Sequence, residues 1–527
     1  MAYTDYAKQA FEETCDPKTA VKHGVKGGFP FWNAESTMFM YAPAFHFTSV
    51  KCCKRYRFDA LDADGKVHSF ETDDCCASLA PIWKDIPVGV VKLTVNAISP
   101  DGSDYAPVGA RTFFRSSPFT GIAPAARRSY LESALMGYRF AMNEPYVRHW
   151  LEYGTPDPGY DLNVYPSKMI SSLIRAMINF ARISPDDAGD AMKVAVTAAD
   201  YLIGITPRGN APLADLPQTY WLDYCPDPEK YGVLTPNWRA AETRVGTMMM
   251  FYCAEVGYAY LKLEAATGDG KYLTEALKIG EYFCKTVEPN GSWYLVRSTE
   301  TGEPTVPNYI APLEDVVPFL NELYRRTGNE KWKTLADNAV RYAEEKQLSV
   351  YNWEGQFEDT RPTANYMNLT HYGPISLAEY YVENYGDDPV FLEKAKELVR
   401  FAEDQFVIWG EPYPWEKNTP TYISDYDTSN WHTPCALEQY FWYVPIDASA
   451  DFILRGFLAL YKAGCGDIYL AKAKVLADQL TVVQKENGLI PTHWFGTKRS
   501  ARNFWYNCMF ASCEALVLMS EYQDVEP

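Results

Sequence analysis

LKLEAATGDGKYLTEALKIGEYFCKTVEPNGSWYLV, residues Leu261–Val296, follows the order helix, short turn, helix, aromatic loop. Apolar residues recur at helical spacing on both sides of Gly268-Asp269, and the second helical pattern ends before Asn290-Gly291-Ser292-Trp293. A glycine between two such patterns marks a helix break. The stretch therefore predicts a helical hairpin followed by a longer connection.

The same plan repeats along the chain. Its short turn recurs at Gly328-Asn329, Gly386-Asp387 and Gly466-Asp467, and weaker helical pairs precede it from about residue 125. Paired helices at such a period form either an open solenoid or a closed ring. Each copy has a short turn on one side and a long aromatic loop on the other, and a ring brings all the long loops to one face. We therefore expect a closed ring.

The loop sequences NGSW (290–293), WEGQF (353–357) and NGLIPTHW (487–494) support this interpretation. With the helical repeat they resemble the (α/α)6-barrel carbohydrate-active enzymes, among them unsaturated glucuronyl hydrolases, other uronic-acid glycosidases, polysaccharide lyases and sugar epimerases. The resemblance covers roughly residues 125–522. It implies a mainly α fold, an (α/α)6 toroid over residues 121–527, and it leaves the reaction open because the fold hosts several chemistries.

The first part of the chain has a different pattern. Between about Glu35 and Phe114, short alternating runs are separated by turn sequences such as Asp62-Ala63-Asp64-Gly65. The run DIPVGVVKLTVNAISPDG (85–102) resembles a fibronectin type III-like or immunoglobulin-like module. We therefore expect an N-terminal β-sandwich over residues 1–120.

Composition limits the classes of partner. The net charge of −19 disfavours nucleic acid, and no stretch has the length of apolar residues that crosses a membrane. Aromatic residues make up 15% of the chain, including 39 Tyr and 14 Trp, and such side chains stack on sugar rings. We expect a small saccharide substrate, no nucleic-acid or membrane partner, and a homo-oligomer as one possible state.

The cysteines and the first residues bear on location. None of the 12 cysteines has zinc-site spacing, and their scatter does not suit a disulfide framework. The start, MAYTDYAKQAFEETCDPKTAV, has neither the basic nor the apolar region of a signal peptide. We expect a cytoplasmic protein with free thiols, without a metal or other cofactor.

Carboxyl groups are the first candidates for chemistry, because glycoside hydrolysis needs one protonated and one ionised carboxyl group. Glu314-Asp315 stands at a predicted helix start, and Glu358-Asp359 lies in the long aperiodic segment Tyr351–Pro374. Only one member of each pair can face a site. Acidic residues at a helix start also interact favourably with the helix dipole. Glu314 and Asp315 could therefore stabilise the helix rather than take part in catalysis. Further carboxyl candidates are Glu242, Asp425, Asp427 and Asp447.

Histidines, aromatic rings, amides and guanidinium groups complete the predicted site. His371 and His432 are assigned to catalysis because histidine titrates near neutral pH, with a structural hydrogen bond as the alternative. The predicted substrate contacts are Arg239, Trp293, Trp353, Arg361, Tyr366, Asn368, Trp431, His493 and Trp494. The alternatives are that the indoles fill the core of the toroid and that Arg239 forms a surface ion pair with Glu242.

The sequence thus predicts an exo-acting glycoside hydrolase on short oligosaccharides, and the resemblance adds uronic acid as the sugar class. Two alternatives stay open. A uronate lyase or an epimerase would use Tyr366, His371 or His432 as the base that removes the proton alpha to the substrate carboxylate. A non-catalytic carbohydrate-binding protein would keep the aromatic cleft without a working acid.

Overall fold

The computed structural model describes residues 3–19, 36–51, 53–306, 310, 313–353, 368–413, 428–440, 444–495 and 504–527, apart from the side chains of residues 105, 313 and 314. Most of this chain forms a ring of helices. Its helices are α1 (Tyr130–Asn143), α2 (Pro166–Ile183), α3 (Ala188–Ile205), α4 (Met250–Thr267), α5 (Gly270–Thr286), α6 (Leu313–Thr327), α7 (Glu330–Tyr342), α8 (Tyr372–Tyr385), α9 (Pro389–Phe406), α10 (Asp447–Lys462), α11 (Asp467–Val483) and α12 (Tyr506–Ser520). Shorter helices lie at Thr4–Thr14, Ala80–Trp83, Pro145–Tyr153, Pro228–Tyr231 and Pro236–Glu242.

The even-numbered helices form a closed inner ring. In order, α2 packs on α4, α4 on α6, α6 on α8, α8 on α10 and α10 on α12, and α12 returns to α2. The odd-numbered helices form the outer layer, each packed on an inner partner: α3 on α2, α5 on α4, α7 on α6, α9 on α8, α11 on α10 and α1 on α12. These contacts confirm the (α/α)6 toroid that the repeat predicts.

The short turns explain why the chain reverses where the repeat predicts. Gly268 ends α4 at φ 73°, and Asp269 then accepts a hydrogen bond of 3.0 Å from the backbone N–H of Lys271. Gly328 has φ 65°, and Asn329 caps α7 in the same way. Glycine adopts left-handed backbone without strain, and an Asp or Asn side chain satisfies a free N–H at the next helix start.

Neighbouring inner helices approach each other closely at glycines. A Cβ atom added to Gly257 on α4 would lie 2.4 Å from Cε2 of Phe319 on α6. A Cβ atom on Gly456 of α10 would lie 2.6 Å from Cδ1 of Ile375 on α8. These glycines therefore set how tightly the ring closes.

The N-terminal part contains the strands β1 (Met38–Phe39), β2 (Ala44–His46), β3 (Arg55–Leu61), β4 (Val67–Thr72), β5 (Cys76–Ser78), β6 (Gly89–Ile98) and β7 (Asp104–Arg115). Five of them form one sheet in the order β1-β7-β6-β3-β4, and β2 pairs with β5. The two-stranded pair packs on the sheet, since the ring of Phe45 lies 6.1 Å from that of Phe113. The fibronectin III-like sandwich is not confirmed, because a three-residue pair cannot replace a second sheet.

Short strand pairs lie between the helices. The strand β8 (Thr247–Met249) pairs with β9 (Val296–Ser298), and β10 (Val407–Ile408) pairs with β11 (Cys435–Ala436). In the part of the chain that the structure describes, no helix has both the length and the apolar character needed to cross a membrane.

The sheet is fixed to the ring by the last turn of α9. One carboxylate oxygen of Asp404 accepts hydrogen bonds of 2.7 Å from the backbone N–H groups of Met40 and Tyr41. Its neighbour Glu403 forms a 2.7 Å ion pair with Lys472 of α11, and the two side chains keep only 2% and 1% of their surface accessible. Trp409 donates to the other oxygen of Glu403 at 2.9 Å. The buried charges are therefore paired and hydrogen-bonded, as burial requires.

We expect Gly257→Ala to lower the free energy of unfolding by about 1–3 kcal/mol, because the new methyl group overlaps the rigid Phe319 ring. The better helix propensity of alanine offsets only part of this loss. The control is Gly189→Ala near the start of α3, where a Cβ atom meets nothing within 4 Å and the change should be neutral or stabilising. Urea unfolding measures both, and equal stability of the two variants would contradict tight packing at Gly257.

Lys472→Met should cost about 3–5 kcal/mol of unfolding free energy, because it leaves the Glu403 carboxylate buried without its cation. Lys394→Met is the matched control. It breaks an ion pair with Glu344 whose side chains keep 36% and 31% of their surface accessible, and it should cost about 1 kcal/mol or less. Similar losses in both variants would show that the Glu403–Lys472 pair does not stabilise the junction.

Candidate active site

The ring has two different ends. Each inner helix begins after a long connection, such as residues 287–312 before α6 and 407–446 before α10. Each inner helix from α4 to α10 ends at a short turn to the outer helix that follows. We call these the long-loop end and the short-turn end. A cleft along the axis is thus bordered by long connections at one end only.

Polar side chains that remain partly accessible line the axis. Arg175, Glu255 and Glu514 keep some accessible surface although their neighbours along the helix are buried. A side chain on the inner wall of a closed ring reaches solvent only along the axis. These side chains therefore mark a polar region along the axis, which we call the axial cleft. Its polar side chains include Lys168 and Arg175 on α2, Glu255 on α4, Asp315 on α6, Ser376 and Glu379 on α8, Arg455 on α10 and Glu514 on α12.

Charges in the cleft centre on Arg175. Burial lowers the pKa of Arg175, but the carboxylates of Glu514, Glu255 and Asp315 together with Tyr258 outweigh burial and raise it. These three carboxyl groups come from three different inner helices. Within the described residues, Nε of Arg175 is buried and has no hydrogen-bond partner. The fold therefore assembles a cluster that no short segment contains.

Helix α10 carries two buried carboxyl groups one turn apart. Burial raises the pKa of Asp447 well above its usual value, and one of its oxygens accepts a 3.3 Å hydrogen bond from Ser512. Burial also raises the pKa of Asp451 to about 7, although the charge of Arg455 opposes the shift. Arg455 binds Glu379 through two hydrogen bonds of 3.2 and 3.0 Å, and its Nη1 lies 3.9 Å from Asp451. A carboxyl group of this kind holds its proton near neutral pH.

A cation and an aromatic face meet at the start of α2. Nζ of Lys168 lies 4.5 Å from the centre of the Trp505 ring and 5.6 Å from that of Tyr252. Trp505 in turn stacks on Tyr165, with ring centres 6.0 Å apart and planes inclined by 17°. An indole face beside an ammonium group suits a sugar that carries a negative charge.

Of the predicted catalytic residues, Asp315 is the one that the described structure places in this charge cluster. It is the third residue of α6, and its charge acts on Arg175. It also stands in the first turn of that helix, so the dipole effect that the sequence allowed applies to it as well. Asp315 therefore lies both in the charge cluster around Arg175 and at the positive end of the α6 dipole.

His371 lies in the wall of the toroid. Its side chain is fully buried against the rings of Tyr372 and Phe406, at 4.3 and 5.4 Å. Burial lowers its pKa to about 3, so it is uncharged at neutral pH. Asn368 is also buried and donates a 3.0 Å hydrogen bond to Gln439. Asn368 thus joins the connection before α8 to that before α10, whereas His371 packs against the end of α9.

Four predicted residues come together on two adjacent connections. Trp431 pairs with Phe495 through a β-bridge, and the backbone N–H of His432 donates to the carbonyl of Trp494 at 2.9 Å. His493 forms a bridge with Ile446, directly before α10. His432 is exposed, whereas Trp431, His493 and Trp494 are buried. Partial desolvation of its ring, helped by the charge of Lys485, lowers the pKa of His432.

The other indoles and Arg239 have structural contacts. Trp293 and Trp353 are buried, and Nε1 of Trp293 donates to the carbonyl of Phe283 at 2.8 Å. Their rings belong to the core, as the alternative interpretation held. Arg239 forms an exposed ion pair with Glu242 at 3.1 Å, which is also the alternative that the sequence allowed.

Some predicted residues lie outside the described residues: Glu358, Asp359, Arg361 and Tyr366, together with the side chain of Glu314 and with Asp425 and Asp427. In the described part of the chain, no group of three or more His, Cys, Asp and Glu residues is arranged to hold a metal ion. The prediction of a site without metal stays a prediction.

Sequence reasoning missed Lys168, Arg175, Glu255, Asp451, Arg455 and Glu514. A signal was present, because charged residues recur four positions apart inside otherwise apolar helices, as in Asp447, Asp451 and Arg455. Such a stripe usually marks the outer face of a surface helix. Here it marks the axis of a ring.

Comparisons with known proteins concern the fold alone. No protein-family model matches the chain, and no curated protein is similar to it in sequence. Solved structures that resemble it include a family 76 glycoside hydrolase from a bovine Bacteroides thetaiotaomicron strain, at 11% identity and TM-score 0.49, over 93% of this chain and 98% of that one. Another is cellobiose 2-epimerase from Spirochaeta thermophila, at 14% identity and TM-score 0.49, over 74% and 98%. An unsaturated glucuronyl hydrolase specific for heparin has 12% identity and TM-score 0.42, over 75% and 97%.

We expect Asp451→Asn to remove a pH-dependent loss of stability. The folded protein holds a proton on Asp451 up to about pH 7, whereas an unfolded Asp releases it near its usual pKa of 3.8. The folded state therefore binds more protons between these values, so the wild type loses stability as the pH rises through this window. Relative to the wild type, the variant should gain stability from about pH 5 to about pH 8 in urea unfolding.

Asp187→Asn serves as the control with the opposite sign. The hydrogen bond from Ser184, and that from Arg139, lower the pKa of Asp187, so its contribution is present at neutral pH and lost in acid. That variant should lose stability at about pH 8 and resemble the wild type in acid. A stability difference between wild type and Asp451→Asn that does not change with pH would contradict the protonated state of Asp451.

Proposed function

We propose that the protein is a glycoside hydrolase that removes terminal sugars from short, uronic-acid-containing oligosaccharides. The observation that carries the proposal is the cluster of Glu255, Asp315 and Glu514 around Arg175 in the axial cleft. Hydrolysis needs two carboxyl groups on either side of the bond, and three inner helices supply candidates to one enclosed space.

Each of the three carboxyl groups has a proposed role in hydrolysis that follows from its accessibility and its contacts. Asp315 and Glu255 are the proposed acid and base or nucleophile, since both are partly accessible and act on Arg175. Ser171 donates a hydrogen bond of 3.0 Å to Glu255, which holds that carboxyl group in position. Glu514 adds negative charge that stabilises the positively charged sugar ring of the transition state.

Cations in the cleft support a uronic acid. The Arg175 guanidinium lies among the carboxyl groups of the cleft, and Lys168 places an ammonium group over the Trp505 ring. A sugar carboxylate next to either cation is attracted by its positive charge. A cleft enclosed by six helices admits the end of a chain more readily than its middle, which favours exo action.

Proton abstraction by a lyase or an epimerase is the second candidate. The observation in its favour is His432, an exposed imidazole with a lowered pKa. An uncharged imidazole accepts a proton, and a neighbouring cation would stabilise the resulting enolate.

The test is a screen with aryl glycosides and uronate-containing oligosaccharides, read as new reducing ends and as absorbance of unsaturated uronates. Reducing ends without new absorbance, or loss of existing absorbance from an unsaturated uronide, support the hydrolase. Asp315→Asn and Glu255→Gln should then lower kcat by about 100-fold or more. Absorbance that rises with cleavage, and is abolished by His432→Gln, would establish the lyase instead.

The control for Asp315 is Asp190→Asn in the first turn of α3. Both substitutions remove a carboxylate from a helix start, which costs about 0.3–1 kcal/mol of stability in each case. Only the change at Asp315 should abolish turnover. Equal activity of the two variants would assign Asp315 to the helix dipole and contradict its proposed role.

A further inference from the structure

A cavity of about 380 Å³ occupies the axis toward the short-turn end. It is lined by side chains between residues 317 and 325 of α6, 376 and 383 of α8, and 455 and 462 of α10, with single residues from α4, α7 and α12. Exposed Arg325, Glu383 and Lys462 border it, which places its opening at the short-turn end. Its volume lies in the range of small-molecule sites, about 300–1,000 Å³. The long connections border the opposite end of the ring.

The charged groups of the cavity do not balance. Arg455 is bound by Glu379, and Arg325 is bound by Glu383 at 2.6 Å and by Glu322 at 2.7 Å. Lys462 has an aromatic neighbour, since its Nζ lies 5.7 Å from the centre of the Tyr522 ring. Within the described residues no carboxylate lies within ion-pair distance of Lys462. One positive charge in the lining therefore has no partner of opposite sign.

Neutral polar groups in the cavity are also without partners. The side chains of Asn321 and Ser376 line it from α6 and α8, are partly accessible, and make no hydrogen bond to any other described residue. Arg455 keeps 33% of its side chain accessible although it lies well inside the ring, so its free surface faces the cavity. Donors and acceptors in such positions suit the hydroxyl groups of a ligand.

We propose that this cavity is a second ligand site, which binds a small hydroxylated carboxylate of the sugar-acid class. The carboxylate would pair with Lys462, and the hydroxyl groups would bind Asn321, Ser376 and the outer edge of Arg455. A single unpaired cation matches a monoanion, whereas a phosphate dianion would leave one charge unmatched. The apolar side chains of Val317, Leu377 and Leu458 cover the carbon chain. Ser376, Glu379 and Arg455 also border the axial cleft, but the cavity is not lined by Arg175, Glu255, Asp315 or Glu514, so binding here and hydrolysis can be tested separately.

The experiment is isothermal titration of the full-length protein with D-gluconate and with D-sorbitol. The two probes have the same carbon chain and differ by the carboxylate, so gluconate should bind and sorbitol should bind much more weakly. Lys462→Met should weaken gluconate binding by about tenfold or more, since it removes a charge-assisted contact. Lys193→Met, at an exposed position on the outer helix α3, is the matched control and should bind like the wild type.

A second variant tests the place of binding without changing charge. Ala459→Phe puts a ring into the cavity from α10 and should abolish gluconate binding while Lys462 is retained. Binding that persists in both Lys462→Met and Ala459→Phe would locate gluconate elsewhere and overturn the proposal. Equal binding of gluconate and sorbitol, no binding of gluconate at millimolar concentration, or equal loss in Lys193→Met would overturn it as well.

Discussion

Closure of the inner ring is the constraint on which the rest of the molecule depends. Because α12 packs against both α10 and α2, the last inner helix contacts the first, across most of the chain. A ring of six helices closes only if neighbouring helices pack at the right distance. Gly257 and Gly456 allow this distance because a side chain there would overlap the neighbouring helix. All six inner helices therefore share one axis, and residues far apart in sequence face one another across it.

A closed ring has an inner surface that its own helices cannot cover. Apolar side chains on that surface would lose the benefit of burial wherever the axis stays open, whereas charged groups keep contact with water. The axial cleft contains charged groups of both signs. Charged side chains on the inner surface thus stay hydrated where apolar ones would be exposed, and they also bring reactive groups together in an enclosed space.

The ring was predictable because its signal repeats. Gly268-Asp269 and Gly328-Asn329 combine a left-handed glycine with a capping side chain, and local rules describe such turns well. The sandwich was less predictable, because alternation of apolar and polar residues indicates strands but not whether a second sheet packs on them. Its strands are present, yet only a short pair packs on the sheet beside Trp83 and the ring. Asp315 was found because it stands at a helix start, whereas Arg175 and Glu514 stand inside helices, where sequence spacing does not distinguish the axis from the surface.

The end of α9 has a consequence for modularity. Glu403, Asp404 and Gln405 are three consecutive buried polar residues, and their partners include Tyr41, Met40 and Ser36 of the N-terminal part. If that part were absent, these side chains would lose those hydrogen bonds, and apolar contacts such as that of Phe114 with Tyr413 would be lost as well. The sheet is thus not an appendage that evolution or an engineer can exchange freely. The core of the toroid is complete only when the sheet is packed against it, so the two parts form one folding unit.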